Sequence, residues 1–329
     1  MIIDTHVHII PPEIARAAAP EEDWRPDVRW EGGKQIIGLA GKQIRSAVRE
    51  IVDVDAILKE QEKIGVERIV LSPWVSLLRY EAEPEEGLRT SRIYNEALAG
   101  LAARYPDRVR AFGTIPMQDP ALAATELRTV MGLEGIRGVI VAASVRGVYL
   151  GDPRFEVVWE AAEEIGAVVF IHPTTSGFAL PVMQEYYMWN WIGNPLETTI
   201  TAAHMVMAGV IEAHPRLKVI LAHGGGAILA LRGRMEHAHS FQPMARARLV
   251  ESPQVSLKRF YYDSLVHDPA VLTDLLEAVG SDHVLLGSDY PFDMGSDRPA
   301  DIVRGLGLSH EDKTKILGGN AARLMGLEE

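Results

Sequence analysis

Eight short runs rich in β-branched and aromatic residues recur along this 329-residue chain, and amphipathic stretches separate most of them. The runs are MIIDTHVHI near 2–9, RIVLSPW near 68–74, VRAFGTIPM near 109–117 and GVIVAAS near 138–144, then AVVFIHP near 167–173, KVILAHGG near 218–225, FYYDSL near 260–265 and VLLGSDYPF near 284–292. Between them, VDAILKEQEKIGV, SRIYNEALAGLAARYP, PALAATELRTVMGL and PRFEVVWEAAEEIGA carry apolar residues at three- and four-residue spacing, which predicts helices. Gly65, Gly132 and Gly166 stand where these helices should stop, as left-handed caps. Strand followed by helix, eight times over, predicts an α/β fold, a (β/α)8 TIM barrel that spans residues 1–329.

Two stretches exceed a minimal barrel. Residues 11–50 carry Gly-Gly and Ala-Gly turn signals between short alternating runs, which predicts a small β insertion after strand 1. Residues 174–197 read as a long loop rich in aromatics after strand 5. Both follow barrel strands, so both belong on the C-terminal face, where barrel active sites are built.

Polar residues interrupt the strands at particular places. Asp4, His6 and His8 share one face of strand 1, because side chains alternate across a strand. His172 ends strand 5, His223 ends strand 6, Asp263 lies near the end of strand 7, and Asp289 ends strand 8. In a barrel these ends meet around one mouth. The chain has no cysteine, so a metal there would be held by imidazole and carboxylate, a donor set that suits zinc and, less selectively, manganese, iron or cobalt.

Charge narrows the partners. A formal net charge of −12 disfavours nucleic acid and anionic membranes, which are bound through basic patches. The Met-Ile-Ile-Asp start has no basic segment, and no apolar run approaches the roughly 20 residues of a membrane span. A cytoplasmic protein acting on a small molecule is the expectation.

Asp-Thr-His-Val-His at 4–8, Ile-His-Pro at 171–173, Ala-His-Gly-Gly-Gly at 222–226 and Gly-Ser-Asp-Tyr-Pro-Phe at 287–292 together resemble the amidohydrolase superfamily. Within it the motifs are similar to the branch of aminocarboxymuconate semialdehyde decarboxylase and related nonoxidative decarboxylases, in order and spacing nearly end to end. The resemblance implies one divalent metal, usually zinc, held by His6, His8, His172 and Asp289. Strand 4 reads Gly-Val-Ile-Val-Ala-Ala-Ser, without the lysine that binuclear members carry there, which fits a single ion.

The resemblance also implies that His223 is the acid/base that passes a proton to substrate, with Asp289 at the reacting centre. Arg45 occupies the place of the arginine that binds the substrate carboxylate, a task suited to its planar fork. Arg234 matches an arginine that reaches a neighbouring subunit's site, which implies a homodimer or a higher oligomer. Trp189, Trp191 and Phe292 are candidates to wall a planar acid. Asp263 is expected to orient His223 or a metal-bound water, or to cap the strand 7 loop, and Asp4 to support its neighbours as an acceptor. His204, His214, His237 and His239 fall in helical or loop segments and are expected to be structural.

The expected function is decarboxylation of an unsaturated or aromatic carboxylic acid. The alternative on the same scaffold is a hydrolase or hydratase acting on a lactone, amide or conjugated acid. After His172-Pro173 the chain reads Thr-Thr-Ser-Gly-Phe, where the aminocarboxymuconate enzymes continue differently, so the motifs leave the substrate open.

Overall fold

The computed structural model describes residues 1–15, 24–40, 42–44, 47–174 and 178–327. Eight parallel strands follow one another around a barrel: β1 (Ile3–Ile9), β2 (Arg68–Pro73), β3 (Val109–Gly113), β4 (Ile136–Ala142), β5 (Val168–His172), β6 (Lys218–Leu221), β7 (Tyr261–Asp263) and β8 (Val284–Leu285). Each hydrogen-bonds to the next in chain order. The seam between β1 and the segment after β8 is closed by Thr5 N donating to Leu286 O at 2.9 Å and His8 N donating to Tyr290 O at 2.8 Å.

The expected barrel is therefore present, but its later strands are shorter than the runs that predicted them. The run at 218–225 stops at Leu221, because His223 and Gly224 turn left-handed at φ +56° and +60°. The run at 284–292 stops at Leu285, and Asp289 turns left-handed at φ +57°. Chain that continues the apolar pattern thus leaves the ladder where its polar residues begin.

Helices α1 (Val54–Lys63), α2 (Pro84–Arg104), α3 (Pro120–Val130), α4 (Glu156–Ile165), α5 (Asn194–Met207), α6 (Arg232–Phe241), α7 (Pro269–Val279) and α8 (Pro299–Gly305) alternate with the strands. Side-chain caps start several of them: Asp53 accepts from Asp55 N and Ala56 N, and Asp119 accepts from Ala121 N and Leu122 N. Helix α2 begins well before the periodic segment at 91–106, since Pro84 is compatible with a first helical turn. Gly65 and Gly166 are left-handed as expected, at φ +81° and +69°. Gly132 is not; the left-handed turn before β4 falls on Gly135, at φ +75°.

The insertion after β1 is a three-stranded antiparallel sheet of Asp27–Glu31, Lys34–Leu39 and Lys42–Ile44. Its first turn is the Gly32-Gly33 pair, both left-handed. Trp24 and Ile37 pack with Ile10, Trp74, Tyr94 and Phe292 in a core separate from that of the barrel. The aromatic loop ends earlier than expected. A 3-10 turn at Pro181–Gln184 and a π turn at Trp189–Gly193 lead straight into α5, whose first turn contains Pro195. Residues 175–177 of that stretch lie outside the described residues. Among the described residues, no helix is long and apolar enough to cross a membrane.

Strand spacing depends on one small residue in β4. A Cβ on Gly138 would lie 2.0 Å from the Val168 carbonyl oxygen of β5, and backbone cannot yield cheaply. Gly138→Ala is expected to cost about 3 kcal/mol. Gly100→Ala, on α2 where nothing lies within 4 Å, should instead stabilise by about 0.5–1 kcal/mol. Denaturant melts of the two variants check both signs.

Candidate active site

His6 and His8 come from β1, His172 ends β5, His223 follows β6 and Asp289 follows β8. Their rings stand almost edge to face: the His6 centroid is 5.1 Å from those of His8 and His172, and the His172 centroid is 5.1 Å from that of His223. One ligand atom from each of His6, His172, His223 and Asp289 can be chosen so that all four lie within 4.8 Å of one another. His8 joins the same group, its Nε2 lying 3.1 Å from His6 Nε2 and 3.2 Å from Asp289 Oδ1.

Hydrogen bonds set the tautomers of three of these imidazoles. His6 Nδ1 lies 2.7 Å from Asp263 Oδ2, and His172 Nδ1 lies 2.7 Å from the Pro173 carbonyl oxygen. His8 Nδ1 lies 3.3 Å from the Pro73 carbonyl oxygen, at the end of β2, and 3.3 Å from Ser72 Oγ, whose hydroxyl donates to Val7 O. Carbonyls and carboxylates only accept, so each Nδ1 carries the hydrogen and each neutral ring keeps its lone pair on Nε2. His172 Nε2, His223 Nδ1 and Asp289 Oδ1 are buried without a hydrogen-bond partner among the described residues. Lone pairs converging in a buried site suit a cation held between them.

Burial and neighbouring charges shift these groups in opposite directions. Burial opposes charge on His6, yet Asp289 and the hydrogen bond to Asp263 carry its pKa up to about 10. His172 is driven well below the ordinary imidazole value by burial and by its histidine neighbours. His8 is also lowered, by burial and by the charge on His6. Burial pushes the Asp289 carboxyl up, but His6 and the contacts from His223, His6 and His8 hold it well below the usual carboxylate range.

Asp263 anchors more than expected. Its Oδ2 accepts from His6 Nδ1 and, at 3.0 Å, from the backbone N of His223. Its Oδ1 accepts from Gly224 N at 2.8 Å and Leu265 N at 3.2 Å. The His223 ring is not its partner; the ring that it orients belongs to His6. Burial raises the Asp263 carboxyl, and the hydrogen bond and charge of His6 bring it below the ordinary value. Asp4 takes the supporting part expected of it. Its Oδ1 accepts from the backbone N of both His6 and Ser288 at 3.1 Å, and its Oδ2 accepts from Ser288 Oγ. Burial raises Asp4 to about 6 against the Ser288 bond.

The motif around Asp289 is spatially necessary at its first residue. A Cβ on Gly287 would lie 2.9 Å from Asp263 Cβ and 3.0 Å from His6 Cβ. Only glycine lets β1, β7 and the post-β8 segment converge here. His223 and Asp289 are also non-glycine residues held left-handed, a conformation that costs about 1–3 kcal/mol and clusters at functional sites.

A cavity of about 250 Å³ opens onto His223 and Asp289. Asn190, Trp191 and Asn194 wall it on the β5 side, and Leu265, His267 and Met294 on the β7 and β8 side. Of the substrate candidates, Trp191 lines the cavity. Phe292 is not among its lining residues; it stands 5.4 Å from the His8 ring and 6.3 Å from Trp74. Arg234 is exposed on α6 and does not line the cavity, and Arg45 lies outside the described residues. The remaining histidines are dispersed: His214 pairs with Glu156 at 2.9 Å, His239 Nε2 bonds Leu249 O, His237 lies against Phe241, and His204 is exposed on α5.

Three wall residues carried no sequence signal of their own. Asn190 and Asn194 sit inside the aromatic stretch at 174–197 that the sequence marks as a loop. His267 stands four residues past Asp263 in the β7 loop, where its Nε2 donates to Met294 O at 2.9 Å. Position on the C-terminal face was the one cue that pointed to them.

Known proteins match this arrangement over nearly its whole length. A 2-amino-3-carboxymuconate-6-semialdehyde decarboxylase from Dictyostelium discoideum is 30% identical over 341 residues, covering 99% of this chain and 92% of that protein. The solved 5-carboxyvanillate decarboxylase from Sphingomonas paucimobilis superposes with a TM-score of 0.82 at 26% identity, covering 99% of this chain and 98% of that one. A dihydroxybenzoic acid decarboxylase from Polaromonas, solved with bound manganese and the inhibitor 2-nitroresorcinol, has a TM-score of 0.79 at 24% identity, covering 100% and 97%. The amidohydrolase family profile matches residues 3–327, and the chain belongs to that family.

Proposed function

We propose that this chain is a metal-dependent nonoxidative decarboxylase, a carboxy-lyase acting on an aromatic or unsaturated carboxylic acid. The observation that carries the metal is the commitment of three Nδ1–H groups to oxygen acceptors, which leaves His6, His8 and His172 with Nε2 lone pairs beside Asp289. These four residues are the proposed ligands. Nitrogen and oxygen donors without sulfur suit zinc first, with manganese, iron and cobalt as competitors. The carboxylic acid substrate is supported by relatives named for such acids across nearly full length.

A divalent ion held by His6, His8, His172 and Asp289 would supply a Lewis acid able to draw electron density from a substrate. The chain's own residues do the rest. His223 Nε2 lies 3.5 Å from Asp289 Oδ2, so a proton held on that nitrogen sits between the donor cluster and the cavity. Its transfer to the carbon bearing the carboxylate lets the carbon–carbon bond break, and the bonding pair stays with the organic product as CO2 leaves. Trp191 offers a flat apolar surface to a planar substrate, and Asn190 and Asn194 offer neutral hydrogen-bonding groups. Arg45, from the insertion, is proposed to hold a substrate carboxylate.

The proposed assembly is a cytoplasmic homodimer or higher homo-oligomer, with Arg234 directed at a neighbouring copy. Its support is the exposure of Arg234 together with the exposed apolar side chains of Leu231, Phe241 and Met244 on and beside α6. The reading takes the chain as one barrel over its full length.

Metal analysis of the purified protein, followed by CO2 detection on a panel of hydroxybenzoates and conjugated carboxylic acids, tests the function. Loss of CO2 release on chelation and its return on adding zinc or manganese is expected, and a metal-free protein that turns over unchanged refutes the proposal. His6→Ala, His8→Ala and Asp289→Ala should lose the ion. His223→Ala should keep it while kcat falls by about 10²–10⁴. The opposite outcome at His8 and His223 would exchange their roles, an alternative that the proximity of His223 to the donor cluster makes worth measuring.

Asp263→Asn offers a second measurement. Asp263 receives four N–H donors on two oxygens, and an amide must turn its own donor towards at least one of them. With His6 less firmly oriented, metal affinity should fall about 10–100-fold, as read by titration against a competing chelator.

A further inference from the structure

We propose that Tyr187 and Asp293 form a clasp that fixes the aromatic wall of the cavity relative to Asp289, which makes them positioning residues for substrate. The effect on substrate rests on the decarboxylase reading; the clasp itself does not. Tyr187 OH donates to the Asp293 carboxylate, 3.0 and 3.1 Å from its two oxygens. The contact joins the loop after β5 to the turn after β8.

The Asp293 side of the clasp is rigid. Phe292 N bonds Asp289 O at 3.0 Å, Gly295 N bonds Phe292 O at 3.0 Å, and Ser296 N returns to Ser288 O at 2.8 Å. The turn is pressed so closely onto this backbone that a Cβ on Gly295 would lie 2.7 Å from Ser288 O and 2.8 Å from Asp289 O. Asp293 therefore keeps a fixed place relative to the Asp289 carboxylate.

The Tyr187 side carries the wall. Its carbonyl oxygen accepts from Asn190 N at 3.0 Å and Trp191 N at 3.4 Å. Asn190 Nδ2 approaches the Tyr187 hydroxyl at 3.5 Å, and Trp189 stands edge-on to the phenol ring at 4.9 Å. Trp191 Nε1 donates to Tyr186 O at 2.9 Å. Tyr186 and Tyr187 are both left-handed, at φ +51° and +64°, a conformation that bulky residues adopt only when their surroundings hold them. Neither Asn190 nor Trp191 is anchored by deep burial, since Trp191 is 50% exposed. The hydroxyl–carboxylate contact is thus the tether through which two wall residues are referred to the reacting centre.

The test uses Tyr187→Phe, Asp293→Ala, the double variant and Asp293→Asn, all on metal-loaded enzyme. Chymotrypsin nicking within residues 178–191 reads the clasp directly. Tyr187→Phe and Asp293→Ala should each be nicked at least about 5-fold faster, the double variant no faster than either single, and Asp293→Asn, which keeps an acceptor, near the wild-type rate. On the hydroxybenzoate that the wild type decarboxylates fastest, the two disrupting variants should raise KM about 10-fold, with kcat changed less than about 3-fold and metal content unchanged, and Asp293→Asn should recover most of the loss. Unchanged nicking in Tyr187→Phe, or additive effects in the double variant, overturns the clasp. Faster nicking with unaltered KM overturns its role in positioning substrate. A wild type that resists nicking in the expected pattern but releases no CO2 from any acid overturns the decarboxylase reading and leaves the clasp supported.

Discussion

The buried carboxylate of Asp263 is the contact on which the centre of this barrel depends. It sits at the end of β7 with no exposure to solvent, where an unpaired charge would be prohibitively costly. Four N–H donors surround it, from the His6 ring, the backbone of His223 and Gly224, and Leu265. Three consequences follow from that one solvation shell. The His6 hydrogen is placed on Nδ1, the left-handed turn after β6 is pinned from its first residue, and β1 is drawn to β7 across the barrel interior. Gly287 keeps the space through which this convergence occurs.

A second carboxylate performs the corresponding task at the seam. Asp4 takes hydrogen bonds from the backbone of His6 and from both donors of Ser288, so the first strand and the segment after the last share a buried acceptor. Regular β pairing is sparse there, because β8 has only two residues. The barrel closes through side chains as well as backbone. The residues that close it are the immediate neighbours of those that converge as donors, so fold and site are stabilised by the same few bonds. Left-handed His223 and Asp289 are tolerated because this network over-determines them.

Most of that centre was legible in the sequence because it breaks a pattern. Polar His6, His8, His172 and Asp289 stand out in runs that are otherwise apolar, and the eightfold alternation says that their strand ends meet. The shortness of β6 and β8 was not legible, since Ala222, Leu286 and Tyr290 prolong the apolar pattern beyond the last ladder bonds. Nor was the partner of Asp263: alternation places its side chain on a face but does not say which histidine shares it. The cavity walls were least legible. Tyr187, Asn190 and His267 lie in irregular segments, where neither a period of two nor one of 3.6 exists to mark an exception. A start for α5 at Asn194 was hidden by the aromatic run that precedes it. Arg45 rests on the resemblance alone, and its position lies outside the described residues.

This division in legibility follows a division in mechanics. The donor cluster is held by bonds between strands and between buried carboxylates and backbone, which tolerate almost no displacement in a close-packed interior. The walls are held by loop contacts to the turn at 293–294, where Tyr187 meets Asp293 and His267 meets Met294 O. Replacing a wall residue can therefore change what the cavity accepts without moving the imidazoles, whereas replacing Asp263 or Gly287 disturbs His6 and, through Asp263, the turn that carries His223. Relatives named for acids as different as a carboxymuconate semialdehyde and a carboxyvanillate are the outcome such a separation permits. One barrel mouth can be kept while the loops above it are rebuilt, and substrate preference in this chain is expected to reside in residues 178–194 and 265–294 more than in the strand ends themselves.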